Sequence, residues 1–154
     1  MVGGRETLRA WTVMDELVLE VFAMTRRHSA EIPEDLPAAL RGVAVRAALK
    51  IVQGLRLRGA ESLVPLRSAL GILAELRYYL YLARRLGLID LRRYRGACAR
   101  HERVQVCLRE ILADRARAQS PAEPEAAPEP NGPSAGGLSF FEDDATAVSG
   151  TVTS

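Results

Sequence analysis

The chain has 154 residues, nearly half of them hydrophobic but only 5% aromatic, which allows one domain with a core made mostly of Leu, Val and Ala. This composition favours helices over a sheet, because strands are enriched in β-branched and aromatic residues. The apolar runs are too short to cross a bilayer and the first residues lack an apolar signal core, so we expect a cytoplasmic protein with no membrane partner.

Basic and acidic residues are separated along the chain. All 21 basic residues, twenty arginines and Lys50, lie between Arg5 and Arg117, and the thirteen acidic residues of segment 1–118 leave it a net charge of +8. Residues 119–154 contain six acidic residues and no basic residue, a net charge of −6. A basic body favours anionic partners, although a coding bias toward Arg and Ala would produce the same composition.

Apolar residues repeated at steps of three and four predict the first two helices. The first covers residues 7–28, with the stripe Trp11, Met14, Val18, Val21 and Thr25. The second begins near Asp35 as its N-cap and tolerates Pro37 in its first turn. It ends near Gly54 or Gly59. The stripe of the second helix consists of Leu36, Leu40, Val43, Ala47 and Ile51.

The same spacing predicts a third and a fourth helix. The third begins at Ser62, has Pro65 in its first turn and ends with Gly87 as its C-cap. The fourth follows Asp90 as its N-cap and ends at about Arg117. The two stripes are Leu66, Ala69, Leu73, Leu76, Leu80 and Ala83, and Tyr94, Ala97, His101, Val104, Leu108 and Ile111.

Short connections make neighbouring helices antiparallel. We therefore predict an all-α fold, an antiparallel up-down-up-down four-helix bundle over residues 7–117. The remaining residues, 118–154, are rich in Pro, Ala, Glu and Gly and cannot bury a core, which predicts a disordered acidic tail. This tail contains a short aromatic and acidic patch, LSFFEDD, at residues 138–144.

The third helix resembles a known family. Its stretch LRSALGILAELRYYLYLARRLGLID is similar to the four helix bundle protein family, whose pattern there is Leu-x-x-Ala-x-Gly-Ser-Leu-x-Glu-Leu followed by Leu-Gly-Tyr/Leu-Ile. The matching residues are Leu66, Ala69, Gly71, Leu73, Glu75, Leu76, Leu86, Gly87 and Ile89, with further matches upstream at Leu8, Trp11, Thr25, Pro33, Glu34, Arg46, Ala47 and residues 51–54. The resemblance covers about residues 8–112, and Lys50, Gln53 and Ile72 depart from the family's usual Asn, Glu and Ser.

That family includes proteins encoded by intervening sequences in large-subunit ribosomal RNA genes. It also includes the accessory variability determinant proteins of diversity-generating retroelements. The resemblance implies a homo-oligomer with a basic surface, a homopentamer in known relatives. For the retroelement relatives it implies binding to a reverse transcriptase and to RNA or DNA, whereas the ribosomal relatives have no settled role.

No sequence pattern predicts catalysis, a cofactor, a metal site or a small-molecule substrate. His101 lies on an apolar stripe and His28 is the other histidine, so we predict a core or interface histidine with a hydrogen-bond partner. Cys98 and Cys107 lie nine residues apart on one helix and face opposite sides of it. We predict that both are buried free thiols and that the protein is not an enzyme.

Basic residues are the predicted nucleic-acid contacts. They would hold phosphates without reading sequence, although an ordinary solvated surface would contain the same residues. The predicted contacts are Arg46, Lys50, Arg56, Arg58, Arg67, Arg77, Arg84, Arg85, Arg92, Arg93 and Arg95. The last five surround the turn between the third and fourth helices, whereas Arg56 and Arg58 lie near the turn at the opposite end of the predicted bundle.

Self-association is predicted from apolar residues of the third helix that lie off its main stripe. The predicted oligomer interface consists of Leu70, Ile72, Glu75 and Tyr79. Glu75 is expected to pair with a basic residue across a helix or subunit boundary, with local packing on Tyr79 as the alternative.

Two functions from different classes are consistent with the sequence. The first is a nucleic-acid- or nucleoprotein-binding accessory factor of a reverse transcriptase. The second is a structural oligomer that recruits a protein partner through the FFEDD segment. In the first, the acidic tail would compete at low salt for the arginines that bind phosphate; the alternative is a tail that only solubilises the chain or binds a partner.

Overall fold

The computed structural model describes residues 3–26 and 35–120, and these residues form an antiparallel bundle of four α-helices. The helices are α1 (Gly3–Thr25), α2 (Asp35–Arg56), α3 (Leu63–Arg85) and α4 (Leu91–Gln119), and a 3₁₀ turn, Gly59–Ser62, precedes α3. The described segments contain no strand. The predicted all-α four-helix bundle is therefore confirmed.

Each helix packs against two others: α1 and α3 both contact α2 and α4. The core is continuous across the four helices, and Met14, Leu40, Leu73 and Leu108, one from each helix, are all completely buried. All four belong to stripes of three- and four-residue spacing. Burial of one such side chain contributes about 1.5–3 kcal/mol, so these stripes provide the main stabilisation of the bundle.

The turn between α3 and α4 has the predicted caps at both helix ends. Gly87 adopts a left-handed conformation (φ +78°), and its amide donates to the Arg84 carbonyl oxygen at 3.3 Å. The Leu88 amide donates to the Ala83 carbonyl oxygen at 2.9 Å, which completes a Schellman motif. The Asp90 carboxylate then accepts a 2.8 Å hydrogen bond from the Arg93 amide and caps α4.

Several predicted boundaries are wrong by a few residues. Helix α1 begins at Gly3 rather than Thr7, because glycine lowers helix propensity without preventing the conformation. It ends at Thr25, after which the sequence is polar. Helix α3 begins at Leu63 rather than Ser62, because Ser62 belongs to the 3₁₀ turn, where its hydroxyl donates to the Gly59 carbonyl oxygen at 2.6 Å.

The remaining differences concern α2 and α4. Asp35 is the first residue of α2, where its charge still favours the helix N-terminus. Helix α4 continues to Gln119, beyond the predicted end at Arg117. The predictions for His28, for the Pro33 connection and for a disordered tail over residues 121–154 lie outside the described residues. None of the described helices is long and apolar enough to cross a membrane.

Candidate nucleic-acid interface

Positive charge is concentrated on one half of the bundle. Helices α3 and α4 together contain twelve arginines and four acidic residues, whereas α1 contains two arginines and four acidic residues. Three of the twelve arginines are already paired: Arg100 with Glu20 of α1 at 2.7 Å, Arg77 with Glu102, and Arg117 with Asp114. The outer surface of α3 and α4 is therefore the part of the described structure best suited to an anionic ligand.

An arginine cluster surrounds the turn between α3 and α4. The two caps place the last turn of α3 beside the first turn of α4, and the cluster consists of Arg84, Arg85, Arg92, Arg93 and Arg95. Asp90 is the one acidic residue between Arg84 and Arg95, and its carboxylate already caps α4. The last three arginines are exposed, and their guanidinium groups form no ion pair within residues 3–26 and 35–120. Such groups can hold phosphate oxygens through two parallel hydrogen bonds.

The two arginines at the end of α3, Arg84 and Arg85, are less accessible to a ligand than the three arginines on α4. The Arg85 guanidinium lies 5.9 Å from the centroid of the Tyr81 ring and donates to the Tyr81 hydroxyl at 3.4 Å. Arg84 is half-buried, and its Nε has no hydrogen-bond partner in the described part of the chain. A stacked guanidinium keeps most of its donors, so Arg85 remains able to contact an anion.

Three predicted contacts in the middle of the bundle have partners in the chain. Arg46 of α2 donates to both carboxylate oxygens of Glu75 of α3 at 2.9 Å. Lys50 donates to the Gln53 side chain at 3.2 Å, and Arg77 lies 3.5 Å from Glu102 of α4. Glu75 thus forms the predicted ion pair across two helices. These partners offset the charges that were predicted to bind nucleic acid.

Three other predicted contacts lie at the opposite end of the bundle. Arg56 ends α2, Arg58 follows it, and Arg67 lies near the start of α3, all three exposed. Arg67 and Arg85 are separated by eighteen residues of one helix, which is about 27 Å. The eleven predicted contacts therefore form separate groups, and the two turns lie at opposite ends as predicted.

Exposed tyrosines beside the arginine cluster were not predicted as functional residues. Tyr78 and Tyr81 of α3 retain 61% and 45% of their accessible surface, and their ring centroids are 6.5 Å apart. Tyr94 of α4 lies under Arg77 at 5.9 Å. Their signal in the sequence is the four–three–four spacing of Ala74, Tyr78, Tyr81 and Arg85, which defines a second face of α3 beside its core stripe.

Two neutral side chains, Tyr94 and Cys98, are hydrogen-bonded to each other one turn apart on α4. Burial raises the pKa of Tyr94, and its hydrogen bond to Cys98 adds to that effect. Burial also raises the pKa of the Cys98 thiol. Cys98 and Cys107 are both buried free thiols, as predicted. A thiol with a raised pKa is a poor nucleophile, so the geometry gives Cys98 no catalytic activation.

His101 is buried and its Nε2 lies 2.6 Å from the Leu73 carbonyl oxygen, which confirms the predicted core histidine with a hydrogen-bond partner. Burial lowers the pKa of His101. Among the described residues, no group of three His, Cys, Asp or Glu side chains is arranged to hold a metal ion.

The predicted oligomer-interface residues are largely used inside the bundle. Leu70, Ile72 and Tyr79 are half-buried and pack against the core, and Glu75 is paired with Arg46. The neighbouring helices therefore cover part of each of these apolar side chains, and their place in an oligomer interface stays a prediction.

A different apolar surface is exposed on α1 and α2. We define this α1/α2 face as the exposed residues Leu8, Trp11, Leu19, Phe22 and Leu49. A groove of about 580 Å³ lies at one end of it, lined by Leu8, Trp11, Val52, Leu55 and Arg56 among others. Trp11 belongs to the predicted apolar stripe of the first helix, and its exposure was not predicted.

Comparison with known proteins adds no assignment to this geometry: no protein-family model and no curated protein matches the chain.

Proposed function

We propose that this protein is a non-enzymatic nucleic-acid-binding protein whose arginine cluster holds phosphate groups. The observation that carries the proposal is the cluster itself, five arginines around one helix turn whose single acidic neighbour, Asp90, is engaged as a helix cap. Arginine at such a site binds phosphates through charge and paired hydrogen bonds. Contacts of this kind fix a nucleic acid in place without reading its sequence.

The family resemblance supports a more specific role. By that resemblance the protein assembles as a homo-oligomer in the cytoplasm and serves as an accessory factor to a reverse transcriptase acting on RNA or DNA. Oligomerisation would repeat the arginine cluster around the assembly and raise its avidity for a long polyanion. A reverse transcriptase gene with a template repeat beside the gene for this chain would support the accessory role.

Nucleic-acid binding is tested by fluorescence anisotropy with the full chain and labelled duplex DNA and RNA across a range of salt. We expect the affinity to fall with salt by a log–log slope of about 0.9 for each duplex phosphate neutralised. The variant Arg92→Ala/Arg93→Ala/Arg95→Ala should bind more weakly and show a shallower slope.

The matched control is Arg56→Ala/Arg58→Ala/Arg67→Ala, which removes the same charge from the opposite end of the bundle. It should lose less affinity than the cluster variant. Equal losses in the two variants would mean diffuse attraction to a basic protein, and no binding by the wild-type chain would refute the proposal.

A second candidate function is a structural oligomer that binds proteins, and a specific observation favours it. Leu8, Leu19 and Leu49 on the α1/α2 face retain 61–64% of their accessible surface. Several large apolar side chains exposed on two neighbouring helices are typical of a protein interface. The two functions use different faces of the bundle, so one protein could have both.

A further inference from the structure

Three of the four tyrosines of the chain, Tyr78, Tyr79 and Tyr81, lie close together on α3, and the fourth, Tyr94, lies on α4. The ring of Tyr78 contacts the rings of Tyr79 and Tyr81, at centroid distances of 6.4 and 6.5 Å. The three rings of α3 therefore form a row in which Tyr78 lies between Tyr79 and Tyr81.

The four tyrosines differ in how far they are buried. Tyr79 and Tyr94 are half-buried and pack against the core, so both rings contribute to the stability of the bundle. Tyr78 and Tyr81 are exposed, and the bundle would lose little apolar burial if either were polar. Core packing therefore explains Tyr79 and Tyr94 but gives Tyr78 and Tyr81 no structural role.

Arginines accompany the exposed rings. Arg85 lies over Tyr81, one helical turn further along α3, and leads directly into the arginine cluster. Arg77 lies over the ring of Tyr94 on α4. The nearby carboxylates are already engaged, Glu102 with Arg77 and Glu75 with Arg46. The surface around the rings therefore combines open aromatic faces with net positive charge.

We infer that Tyr78 and Tyr81 form a stacking platform for the unpaired bases of a single-stranded nucleic acid whose phosphates lie on the arginine cluster. This inference rests on the proposed function and narrows its ligand from nucleic acid in general to single strands. Aromatic side chains stack on bases only where the bases are not already stacked and paired in a duplex. Stacking tolerates any base, so the platform binds single strands without strong sequence preference.

A protein partner is the competing occupant of this surface. Tyrosine is also enriched in protein interfaces, but the cores of those interfaces are depleted in charged residues. Here the exposed rings are flanked by Arg77 and Arg85 and adjoin the arginine cluster. A polyanion whose bases stack while its phosphates pair with arginine matches both components of the surface.

The test compares an oligothymidine with a duplex of the same length, at one salt concentration, for the full chain and three variants. Tyr78→Ala/Tyr81→Ala should bind the single strand at least about thirty-fold more weakly, because it loses two stacks and each lost stack costs about 1–3 kcal/mol. Its affinity for duplex should be unchanged. Tyr78→Phe/Tyr81→Phe keeps both rings and should bind like the wild type.

The third variant, Arg92→Ala/Arg93→Ala/Arg95→Ala, should lose affinity for both ligands, because both present phosphates. Equal single-strand affinity in the wild type and the alanine variant would overturn the platform while leaving the proposed function intact. A parallel loss for duplex would overturn it too. No binding of either ligand by the wild type would overturn both proposals.

Light scattering on the same variants tests the competing occupant. A wild-type oligomer that dissociates in Tyr78→Ala/Tyr81→Ala would assign the rings to a contact between copies of the chain and overturn the platform. An unchanged mass, together with a selective loss of single-strand binding, supports it.

Discussion

At the residue scale, His101 makes the stability of the bundle depend on pH. Its Nε2–H donates to the Leu73 carbonyl oxygen, and its Nδ1 is buried without a hydrogen-bond partner in the described part of the chain. Burial lowers the pKa of His101, and Arg77 and Arg109 act in the same direction, while the bond to Leu73 and the charge of Glu102 oppose them. The folded protein therefore favours the neutral imidazole.

From this we predict that the free energy of unfolding falls as the pH falls through about 6.5, the usual pKa of an unfolded histidine. Above that pH both states are neutral at His101; below it the unfolded state binds a proton more readily than the folded state, and stability is lost. The variant His101→Gln keeps an N–H donor but does not titrate. Urea unfolding of both proteins from pH 7.5 to 5 should show a steeper loss in the wild type. Parallel curves would mean that His101 contributes nothing to the pH dependence.

At the element scale, Gly54 sets the distance between α2 and α3. It is buried inside α2, and a Cβ atom at this position would lie 2.5 Å from Leu66 Cγ and 3.3 Å from the Leu66 amide nitrogen. Leu66 is completely buried and cannot move aside into solvent. The sequence alone predicts Gly54 as a helix-end marker, because the close approach between two helices is not visible in a linear sequence.

We predict that Gly54→Ala destabilises the bundle by about 1–3 kcal/mol, because overpacking displaces the two helices. The matched control on the same helix is Gly42→Ala, where a Cβ atom would meet nothing within 4 Å. That substitution should stabilise the protein by up to about 1 kcal/mol through helix propensity. Chemical unfolding of the two variants gives both values, and a stabilising Gly54→Ala would show that α2 and α3 separate easily.

Also at this scale, Arg115 of α4 closes the end of α2. Its Nη1 donates to the carbonyl oxygens of Gly54 at 2.7 Å and Leu57 at 3.3 Å, two groups that the end of a helix leaves without partners. We expect Arg115→Ala to lower stability by about 1–2 kcal/mol. Arg109→Ala on the exposed side of α4 is the control and should be nearly neutral. A melting temperature unchanged by Arg115→Ala would mean that water replaces the guanidinium.

Helix positions were predictable because each helix encodes its own core stripe, and the turn with Gly87 and Asp90 encodes both of its caps. The α1 boundaries were less predictable, since Gly3 and Gly4 can enter a helix at modest cost. The start of α3 was less predictable for a similar reason, because a serine hydroxyl can either accept from a helix amide or donate to a nearby carbonyl oxygen. Ser62 donates to the Gly59 carbonyl oxygen within the 3₁₀ turn.

At the scale of the whole molecule, the sequence revealed which residues are basic but not how they are grouped. Arg46 and Glu75 are 29 residues apart and meet only because α2 packs on α3. Leu70, Ile72 and Tyr79 lie off the main stripe, but the width of the buried surface on α3 depends on how its two neighbours flank it. The exposure of Tyr78 and Tyr81 follows from the same packing. The packing of the assembled bundle determines which residues are paired and which are exposed. It therefore determines which of the predicted site residues remain available to bind a ligand.

The α1/α2 face gives the last prediction, self-association of the protein. Trp11, the one tryptophan of the chain, retains 40% of its accessible surface and lines the groove on this face. If two copies cover the face, Trp11 leaves water as the concentration rises, and its fluorescence emission shifts to shorter wavelength. Light scattering over the same range should show a mass above that of one chain.

The substitution Leu49→Glu should abolish both changes, because it places a charge on this face, where Leu49 is 62% exposed. Val106→Glu is the matched control, since Val106 is similarly exposed at 49% but lies on α4. It should associate like the wild type. A single-chain mass for the wild type at every concentration would contradict self-association, and dissociation by Val106→Glu alone would move the contact to α4. Because the α1/α2 face does not include the arginine cluster, Leu49→Glu should keep its intrinsic contacts with nucleic acid and lose only the avidity that assembly adds.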